Sequence, residues 1–287
     1  MDATVAGYWD EHVGQHVDCF LSWEANTPVQ EHQNRRVCDG DNVNPVYWFW
    51  KKFGPFEHVA SIGSGNGILE RFICALDGWV SITGHDISPA SVEIAKASCS
   101  EFVNVVFEVA DLNSKQLPRE CFDVVFAHGA LHHIERLDWC LGEISSALKP
   151  GGLLFVNDYV GPQRFQYSDL QLRLANELLC TVPSRWRKNA TASRCDPESL
   201  RIQDPSEAVN SHFIEDTIKG HFTVIERKPR GGTLLAPIFG MGCLDESILN
   251  SAEGLQCIEA MAEREGHLID EQVLPSDHVV IVAKPRR

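Results

Sequence analysis

The sequence predicts an α/β fold in which a largely parallel β-sheet is covered by helices on both faces. Short apolar runs of the fully buried type recur along the 287 residues, and segments with helical spacing separate most of them. Strands that are apolar throughout need cover on both faces, which is typical of parallel sheets. Apolar residues make up 44% and charged residues 23% of the chain, which excludes disordered, collagen-like and coiled-coil classes. The predicted strands cover residues 58–63, 79–87, 105–110, 122–127, 153–160, 222–226 and 278–283.

Local signals predict the helices between these strands. After the first strand, the apolar residues within 68–76 fall on one helical face. After the second, Ser88-Pro89 supplies an N-cap and a first-turn proline. After the fourth, a helix containing Leu137 and Leu141 ends at Pro150-Gly151-Gly152. A further helix is predicted from about residue 244 to 265, before the last strand.

Breaks in this alternation divide the chain into four segments. Residues 1–54 carry many aromatic side chains among polar ones and are predicted to form an N-terminal helical cap. Residues 55–160 form the core, and residues 161–210 form an inserted lid with one helix that Ser168 caps. Residues 211–287 complete the sheet.

The charge balance limits the classes of partner. Lys and Arg number 25 against 40 Asp and Glu, a net charge of −15, which has the wrong sign for binding nucleic acid or an anionic membrane surface. No apolar stretch approaches the roughly 18 residues of a membrane span, and the acidic start does not resemble a secretory leader. The ten cysteines are scattered without a C-x-x-C pair, as expected for reduced thiols. We therefore expect a cytoplasmic protein.

A glycine-rich turn is the strongest local signal of a ligand. Gly63-Ser64-Gly65-Asn66-Gly67 directly follows a buried strand and precedes an amphipathic helix. Such glycines allow a tight turn and let a ligand approach main-chain N–H groups. A nicotinamide-binding turn would have its third glycine where this chain has Ile68, which disfavours a nicotinamide-dependent oxidoreductase. A turn without any ligand stays an alternative.

Acidic residues end the next two strands. Asp86, followed by Ile87, is placed where a carboxylate accepts hydrogen bonds from both ribose hydroxyls of a nucleotide. The alternative role for Asp86 is a carboxylate at the start of a helix, where it interacts with the helix dipole. Asp111 and Leu112 place a polar and an apolar side chain together at the same sheet edge, which suits an adenine ring.

The order of these motifs resembles that in the class I S-adenosylmethionine-dependent methyltransferases of the small-molecule type. The resemblance covers about residues 57–159 and rests on five segments in family order. They are Ala60-Ser61-Ile62-Gly63-Ser64-Gly65-Asn66-Gly67, Gly84-His85-Asp86-Ile87-Ser88, Ala110-Asp111-Leu112, Phe122-Asp123-Val124-Val125 with Leu131-His132-His133-Ile134, and Leu148-Lys149-Pro150-Gly151-Gly152.

The resemblance implies a Rossmann-like, seven-stranded, mostly parallel sheet with an antiparallel last strand, and S-adenosylmethionine as cofactor across the strand ends. The turn Gly63–Gly67 would bind the methionine part, Asp86 with Ile87 the ribose, and Asp111 with Leu112 the adenine; His128 is assigned to the same site. The family often has an acidic residue where this chain has Ser61. This departure leaves open how the ammonium group of the cofactor is bound.

Three residues are candidates for catalysis. His132 and His133 follow the fourth strand, where histidine can serve as a base near neutral pH if the acceptor is a hydroxyl. Tyr159, at the end of the fifth strand, is a second proton acceptor or an orienting group. The Leu-His-His stretch is shared by relatives with many acceptors, so a structural role stays an alternative. We expect no metal: Asp158 and His128 could share one, but the carboxylate expected after the fourth strand is missing.

The expected function is in-line transfer of a methyl group to a small-molecule or sugar-like acceptor, such as a glycan precursor, most readily on oxygen. Basic residues in the lid suggest an anionic acceptor, because arginine binds carboxylate and phosphate in a bidentate manner. The alternative is a non-catalytic relative that serves as a binding or regulatory subunit. Whether copies of the chain assemble into a homo-oligomer is left open. The basic residues of the lid are Arg164, Arg173, Arg185, Arg187 and Lys188.

Overall fold

A single seven-stranded sheet forms the centre of the protein in a computed structural model, which describes residues 5–11 and 26–286. The parts of the predicted cap at 1–4 and 12–25 lie outside the described residues. The strands are β1 (His58–Ile62), β2 (Ser81–Asp86), β3 (Val105–Val109), β4 (Phe122–His128), β5 (Leu148–Tyr159), β6 (Phe222–Gly231) and β7 (His278–Pro285).

The strand order is β3-β2-β1-β4-β5-β7-β6. Strands β1 to β5 pair in parallel, whereas β7 is antiparallel to both β5 and β6. The predicted fold class, a mostly parallel Rossmann-like sheet with an antiparallel last strand, is confirmed. Because chain order reverses between β1 and β4, the crevice at the carboxyl ends of these strands is where ligands bind in open α/β sheets.

Helices cover both faces of the sheet. On β4, Val124 and Phe126 belong to the apolar cluster of one face, whereas Val125 and Ala127 belong to the cluster of the other. This alternation is why the strand is apolar throughout. The helices are α1 (Val5–Glu11), α2 (Thr27–Val37), α3 (Pro45–Phe53), α4 (Ile68–Cys74), α5 (Pro89–Ser98), α6 (Leu137–Ala147), α7 (Asp169–Thr181), α8 (Pro197–Gln203), α9 (Ile214–His221), α10 (Leu235–Gly240) and α11 (Ala252–Asp270).

Two predicted N-caps are confirmed. The hydroxyl of Ser88 accepts from the N–H of Ser91 at the start of α5, and that of Ser168 accepts from Gln171 N in a capping box at the start of α7. Helix α7 packs in one apolar cluster with α10 and α11. The predicted lid therefore shares a core with the C-terminal segment. None of the helices in the described ranges combines the length and apolar character needed to cross a bilayer.

Several predicted boundaries were wrong, and in three elements a boundary is off by at least five residues. Strand β5 begins at Leu148 rather than 153, because Gly151 adopts a φ of +85° that lets the backbone continue after the helix stop. Strand β6 continues to Gly231 instead of ending at 226. The extension is charged and contains Pro229, a composition that an edge strand tolerates but that resembles a loop in sequence. Helix α11 begins at Ala252, where Ser251 is the N-cap, not at 244.

Candidate active site

Two cavities lie at the carboxyl ends of the strands. The first cavity lies over β1, β2 and β3 and is covered by α1. The second cavity, of about 500 Å³, lies over β4, β5, β6 and β7 and is covered by the lid and α10. The first cavity is lined by Val5, Trp9, Gly63, Gly65, Asp86, Ile87, Ser91, Ala110, Asp111, Leu112, Asn113, Gly129, Ala130, His133 and Ile134.

The glycine turn gives the first cavity its floor. Gly63 and Gly65 adopt φ values of +63° and +52°, in the left-handed region that favours glycine. A Cβ on Gly63 would lie 2.6 Å from the Cβ of Ala130, whereas a Cβ on Gly65 would meet no heavy atom within 4 Å. Gly65 therefore leaves open space where a ligand can approach the backbone. Ser64, Asn66 and Gly67 complete the turn behind the lining.

Asp86 connects the turn to the start of α5. Its carboxylate accepts hydrogen bonds from Gly65 N at 2.8 Å and from Ser88 N at 2.9 Å. Burial raises the pKa of Asp86, although these N–H donors act in the opposite direction. Ile87, Asp111 and Leu112 line the same cavity, as the sequence predicts for residues that bind one ligand.

A buried carboxyl group lies behind the turn. Ser61, at the position where the family often has an acidic residue, donates its hydroxyl to Oε1 of Glu70 on α4. Glu70 is fully buried, and its Oε2 contacts no hydrogen-bond partner among the described residues. Burial raises the pKa of Glu70 to about 7. A carboxyl group is thus present beside Ser61, but it is contributed by a helix rather than by β1.

Helix α1 covers the first cavity. The Asp10 carboxylate accepts from the Ser88 hydroxyl at 2.6 Å and from Ala90 N at 3.0 Å, at the N-terminal end of α5. The ring of Trp9 packs edge-on against His133 at 5.0 Å between centroids. Val5 and Trp9 therefore form part of the wall of the first cavity.

His132 and Asp158 form a hydrogen-bonded pair in the second cavity. Nδ1 of His132 lies 2.5 Å from Oδ1 of Asp158, which is fully buried. Asp158 Oδ2 also accepts from Ala130 N and Leu131 N at 3.1 and 2.7 Å, so the carboxylate is held rigidly. A carboxylate on Nδ1 fixes the tautomer in which Nε2 carries the lone pair. His132 lines the second cavity, so it stays a candidate proton acceptor there.

Glu207 of the lid lies beside this pair. Its Oε1 is 3.5 Å from Nε2 of His132. Burial raises the pKa of Glu207, while the charge of His132 opposes the shift. Ligand atoms of His132, His133 and Glu207 lie within 4.8 Å of one another, a spacing that a metal ion could bridge. The expectation that no metal takes part stays a prediction.

The other predicted residues divide between the cavities. His133 lines the first cavity, where Nδ1 lies 3.1 Å from the hydroxyl of Ser206. His128, predicted to bind the cofactor, lines the second cavity and is not among the residues that line the first. Tyr159 also lines the second cavity, but its hydroxyl donates to the Pro162 carbonyl at 2.8 Å and burial raises its pKa well above the ordinary value. This geometry does not support Tyr159 as the proton acceptor.

The lid arginines do not line the second cavity. Arg164 donates to the backbone carbonyls of Asp204, Pro205 and Glu207, and Arg173 pairs with Glu177 at the surface. The cavity instead contains Arg230, from the extension of β6 that the sequence did not predict. Asp158 as the partner of His132 was also missed. The sequence signal is an acidic residue at the end of the fifth strand, which by itself indicates a metal ligand as readily as a partner for histidine.

The two cavities meet at one residue. Gly129, directly after β4, lines both, and a Cβ there would meet no heavy atom within 4 Å. On either side of this junction are His132 in the second cavity and His133 in the first, with ring centroids 4.0 Å apart. Gly129 therefore places no side chain between the two cavities.

A cavity at a glycine turn lies next to a second cavity that contains the hydrogen-bonded His132–Asp158 pair, and this arrangement suits a group-transfer enzyme. The model of a family described as a methyltransferase domain matches residues 57–221, more than half of the chain. The chain belongs to this methyltransferase family. At the level of the family, the predicted class I S-adenosylmethionine-dependent fold, enzyme class and cofactor are confirmed.

Named relatives share part of the sequence. Demethylmenaquinone methyltransferase of Tropheryma whipplei is 25% identical over 162 residues, which are 52% of this chain and 66% of that protein. The 27-O-demethylrifamycin SV methyltransferase of Amycolatopsis mediterranei is 36% identical over 110 residues, 36% of this chain and 39% of that protein. The matches thus span less than two thirds of the length of these two relatives.

Solved structures share the fold. Phosphoethanolamine N-methyltransferase 2 of Haemonchus contortus, in complex with phosphomonomethylethanolamine and S-adenosylhomocysteine, has a TM-score of 0.53 and 18% identity over 99% of this chain and 60% of that one. Geranyl diphosphate C-methyltransferase of Streptomyces coelicolor has a TM-score of 0.52 and 12% identity over 83% of this chain and 77% of that one. At these identities the likeness concerns the fold alone.

Proposed function

We propose that this protein transfers the methyl group of S-adenosylmethionine to an oxygen atom of a small-molecule or sugar-like acceptor in the second cavity. The observation that carries the proposal is the junction at Gly129, which joins the cavity of the glycine turn to the cavity of the His132–Asp158 pair. The His132–Asp158 pair favours oxygen as the atom that is methylated, because a base that removes the proton accelerates transfer most when the acceptor is a hydroxyl.

The residues of the first cavity fit the cofactor. Gly65 leaves open space for the methionine part, Asp86 lies within the cavity to accept from ribose hydroxyls, and Asp111 with Leu112 can flank an adenine ring. Ser64, Asn66 and Gly67 shape the turn, Ile87 adds apolar contact, and Glu70 beside Ser61 supports the turn from behind. When bound, S-adenosylmethionine supplies a methyl group on a sulfonium that is already a good leaving group.

The residues of the second cavity then have two tasks. The enclosed walls orient the acceptor toward Gly129, and alignment of this kind accounts for a large part of the rate in a displacement reaction. Nε2 of His132 removes the hydroxyl proton, and Asp158 stabilises the imidazolium that forms. His128 faces the acceptor, and Tyr159 forms part of the wall that excludes water. The relative that acts on 27-O-demethylrifamycin SV agrees with transfer to oxygen.

Methyl transfer from labelled cofactor into a metabolite extract tests the proposal. We expect the wild-type protein to label at least one small molecule at a hydroxyl group, with or without a chelator. On that purified acceptor, His132→Ala should lower kcat by about 10²- to 10⁴-fold, the usual contribution of a general base. The dissociation constant for the cofactor should stay within about twofold.

The matched control is His221→Ala, which removes an outlying histidine paired with Asp138 at 2.8 Å and should leave kcat unchanged. Full turnover by His132→Ala would show that the histidine is not the base. If the wild type binds the cofactor saturably but labels no molecule, this result would favour a non-catalytic subunit. Loss of activity with chelator would instead show that a metal takes part, for which His132, His133 and Glu207 are the candidate ligands.

A further inference from the structure

Three aromatic side chains, Tyr159, Phe165 and Tyr167, line the second cavity and form an aromatic wall. The wall is continuous because Phe165 contacts both tyrosines. The ring centroid of Phe165 lies 4.9 Å from that of Tyr159 and 6.2 Å from that of Tyr167, and the planes of the second pair differ by only 26°. Both tyrosines are buried, whereas Phe165 is partly exposed. Phe165 is therefore the ring of the wall with the most surface left for a ligand.

A strained turn holds Phe165 in this place. Arg164 and Phe165 are consecutive non-glycine residues with φ values of +53° and +55°, in the left-handed region that few side chains adopt. The guanidinium of Arg164 donates to the backbone carbonyls of Asp204, Pro205 and Glu207, which fixes the turn to the last part of the lid. Strained backbone that its surroundings hold in this way is concentrated at ligand and active sites. The turn therefore positions the ring before an acceptor binds.

The aromatic wall extends to His132. The ring centroids of His132 and Tyr159 lie 6.4 Å apart, and their planes are nearly perpendicular at 86°. Leu200 of α8 and Met241, directly after α10, add apolar surface to the cavity, and a thioether packs favourably with aromatic rings. In this series of contacts only Tyr159 separates Phe165 from His132. A ring that packs on Phe165 is thus within one side chain of the histidine.

The acidity of the acceptor hydroxyl also favours an aromatic ring. A phenol has a pKa of about 10, as in tyrosine, whereas the pKa of a hydroxyl group on saturated carbon is nearer to that of water, about 15.7. Imidazole has an ordinary pKa of about 6.5, so it removes the proton of a phenol far more readily than that of an alkyl hydroxyl. A wall of rings and a base of moderate strength therefore fit the same acceptor.

We propose that the acceptor is a hydroxylated aromatic ring, which packs on Phe165 in the aromatic wall while its hydroxyl group faces His132. The inference rests on the proposed methyl transfer and narrows the class of acceptor; a sugar-like acceptor is the alternative that the test distinguishes. The phenol oxygen forms a bond to the methyl carbon and displaces the sulfur, which keeps the electron pair of the broken bond. The hydroxyl proton passes to His132. The products are an aryl methyl ether and S-adenosylhomocysteine.

The carbon atom that bears the methylated oxygen tests this class directly. The wild-type protein is incubated with a metabolite extract and with S-adenosylmethionine whose methyl carbon is an NMR-active isotope, and the main labelled product is purified. We expect a long-range NMR correlation from the methyl protons to an aromatic ring carbon. A correlation to a saturated carbon would overturn the aromatic class and leave methyl transfer to oxygen intact. Absence of any labelled product, or a methyl group on carbon or nitrogen, would overturn the proposed function itself.

Substitution of Phe165 tests the residue on the purified acceptor. Phe165→Leu keeps an apolar side chain at the strained position but removes the ring, so KM should rise by about 10-fold, the scale of one lost aromatic pair. Because packing of the rings is the same before and during transfer, kcat should stay within about twofold. Phe165→Tyr keeps the ring and should keep KM within about threefold of the wild type. The cofactor dissociation constant, measured by calorimetry, should be the same in all three proteins, which shows that each is folded.

The matched control is Phe213→Leu. Phe213 is 53% exposed, packs against His212 at 3.8 Å between ring centroids and lines neither cavity. This variant should leave KM and kcat unchanged. A KM of Phe165→Leu within about twofold of the wild type would overturn the role of Phe165. A fall in kcat at an unchanged KM would contradict ring binding as well, since Phe165 would then act on the transfer step.

Discussion

The two cavities are built in different ways. The first cavity is formed largely by short segments directly after β1, β2 and β3, and its polar contacts involve backbone groups such as the N–H of Gly65. The second cavity gathers side chains from residue 128 to residue 278, from four strands, the lid and α10. A backbone-lined cavity accepts the same nucleotide in many sequences, whereas a side-chain-lined cavity changes its ligand with each substitution.

A side chain at position 65 should have the largest effect on the first cavity. Gly65→Leu places its side chain in open space at the turn, so we expect the cofactor affinity to fall by at least about 100-fold while the protein stays folded. Gly151→Leu is the matched control, since Gly151 also has a positive φ and open space around its Cβ position. Both variants should lose stability, because a side chain is strained at a positive φ. Gly151→Leu should nevertheless bind the cofactor normally. Equal cofactor affinity in both variants, measured by calorimetry, would show that the turn has only a structural role.

The carboxyl group behind the turn should give the next largest effect, on stability. Burial raises the pKa of Glu70 from 4.5 to about 7, so the folded state binds this proton more tightly than the unfolded state does. The stabilisation from Glu70 is therefore complete below pH 4.5 and is lost as the pH rises through 7. Relative to Glu70→Gln, which does not titrate, the free energy of unfolding of the wild type should fall by about 3 kcal/mol across this window.

Denaturant unfolding of both proteins at a series of pH values measures this difference. Parallel stability curves for the wild type and Glu70→Gln would show that the carboxyl group titrates normally. Such a result would contradict a buried carboxyl group behind the turn.

Removal of the Asp86 carboxylate should have the smallest effect of the three. Asp86→Ala deletes the acceptor for Gly65 N and the proposed acceptor for the ribose, so cofactor binding should weaken by about 1–3 kcal/mol, the scale of an unsatisfied buried polar group. Asp138→Ala removes an exposed aspartate and is the control. If Asp86→Ala binds the cofactor as tightly as this control, Asp86 acts only at the start of α5.

The fold could be predicted because its signals are local. Strands β4 and β5 contain continuous apolar runs, and the caps Ser88 and Ser168 lie directly before their helices. The extension of β6 could not be predicted in this way. Its stretch from Arg227 to Arg230 is polar because it lies at the sheet edge, where pairing on one side with β7, not burial, keeps it extended.

The same distinction applies to the candidate site. Gly63, Gly65, Asp86 and Asp111 could be predicted as one group because each ends or follows one of the first three strands, and all four line the same cavity. Arg230 and Glu207 lie far from His132 in sequence, and only the tertiary packing of the lid and the strand order β5-β7-β6 bring them near it. Side chains that meet through tertiary packing leave no spacing pattern in the sequence.

A crystal structure with S-adenosylhomocysteine tests the central claim most directly, since the sulfur of this product marks where the methyl group leaves. We predict that the ligand occupies the first cavity, with its ribose hydroxyls on Asp86 and its sulfur beside Gly129, facing the second cavity. A ligand bound elsewhere, or one whose sulfur is directed away from the junction at Gly129, would contradict the account.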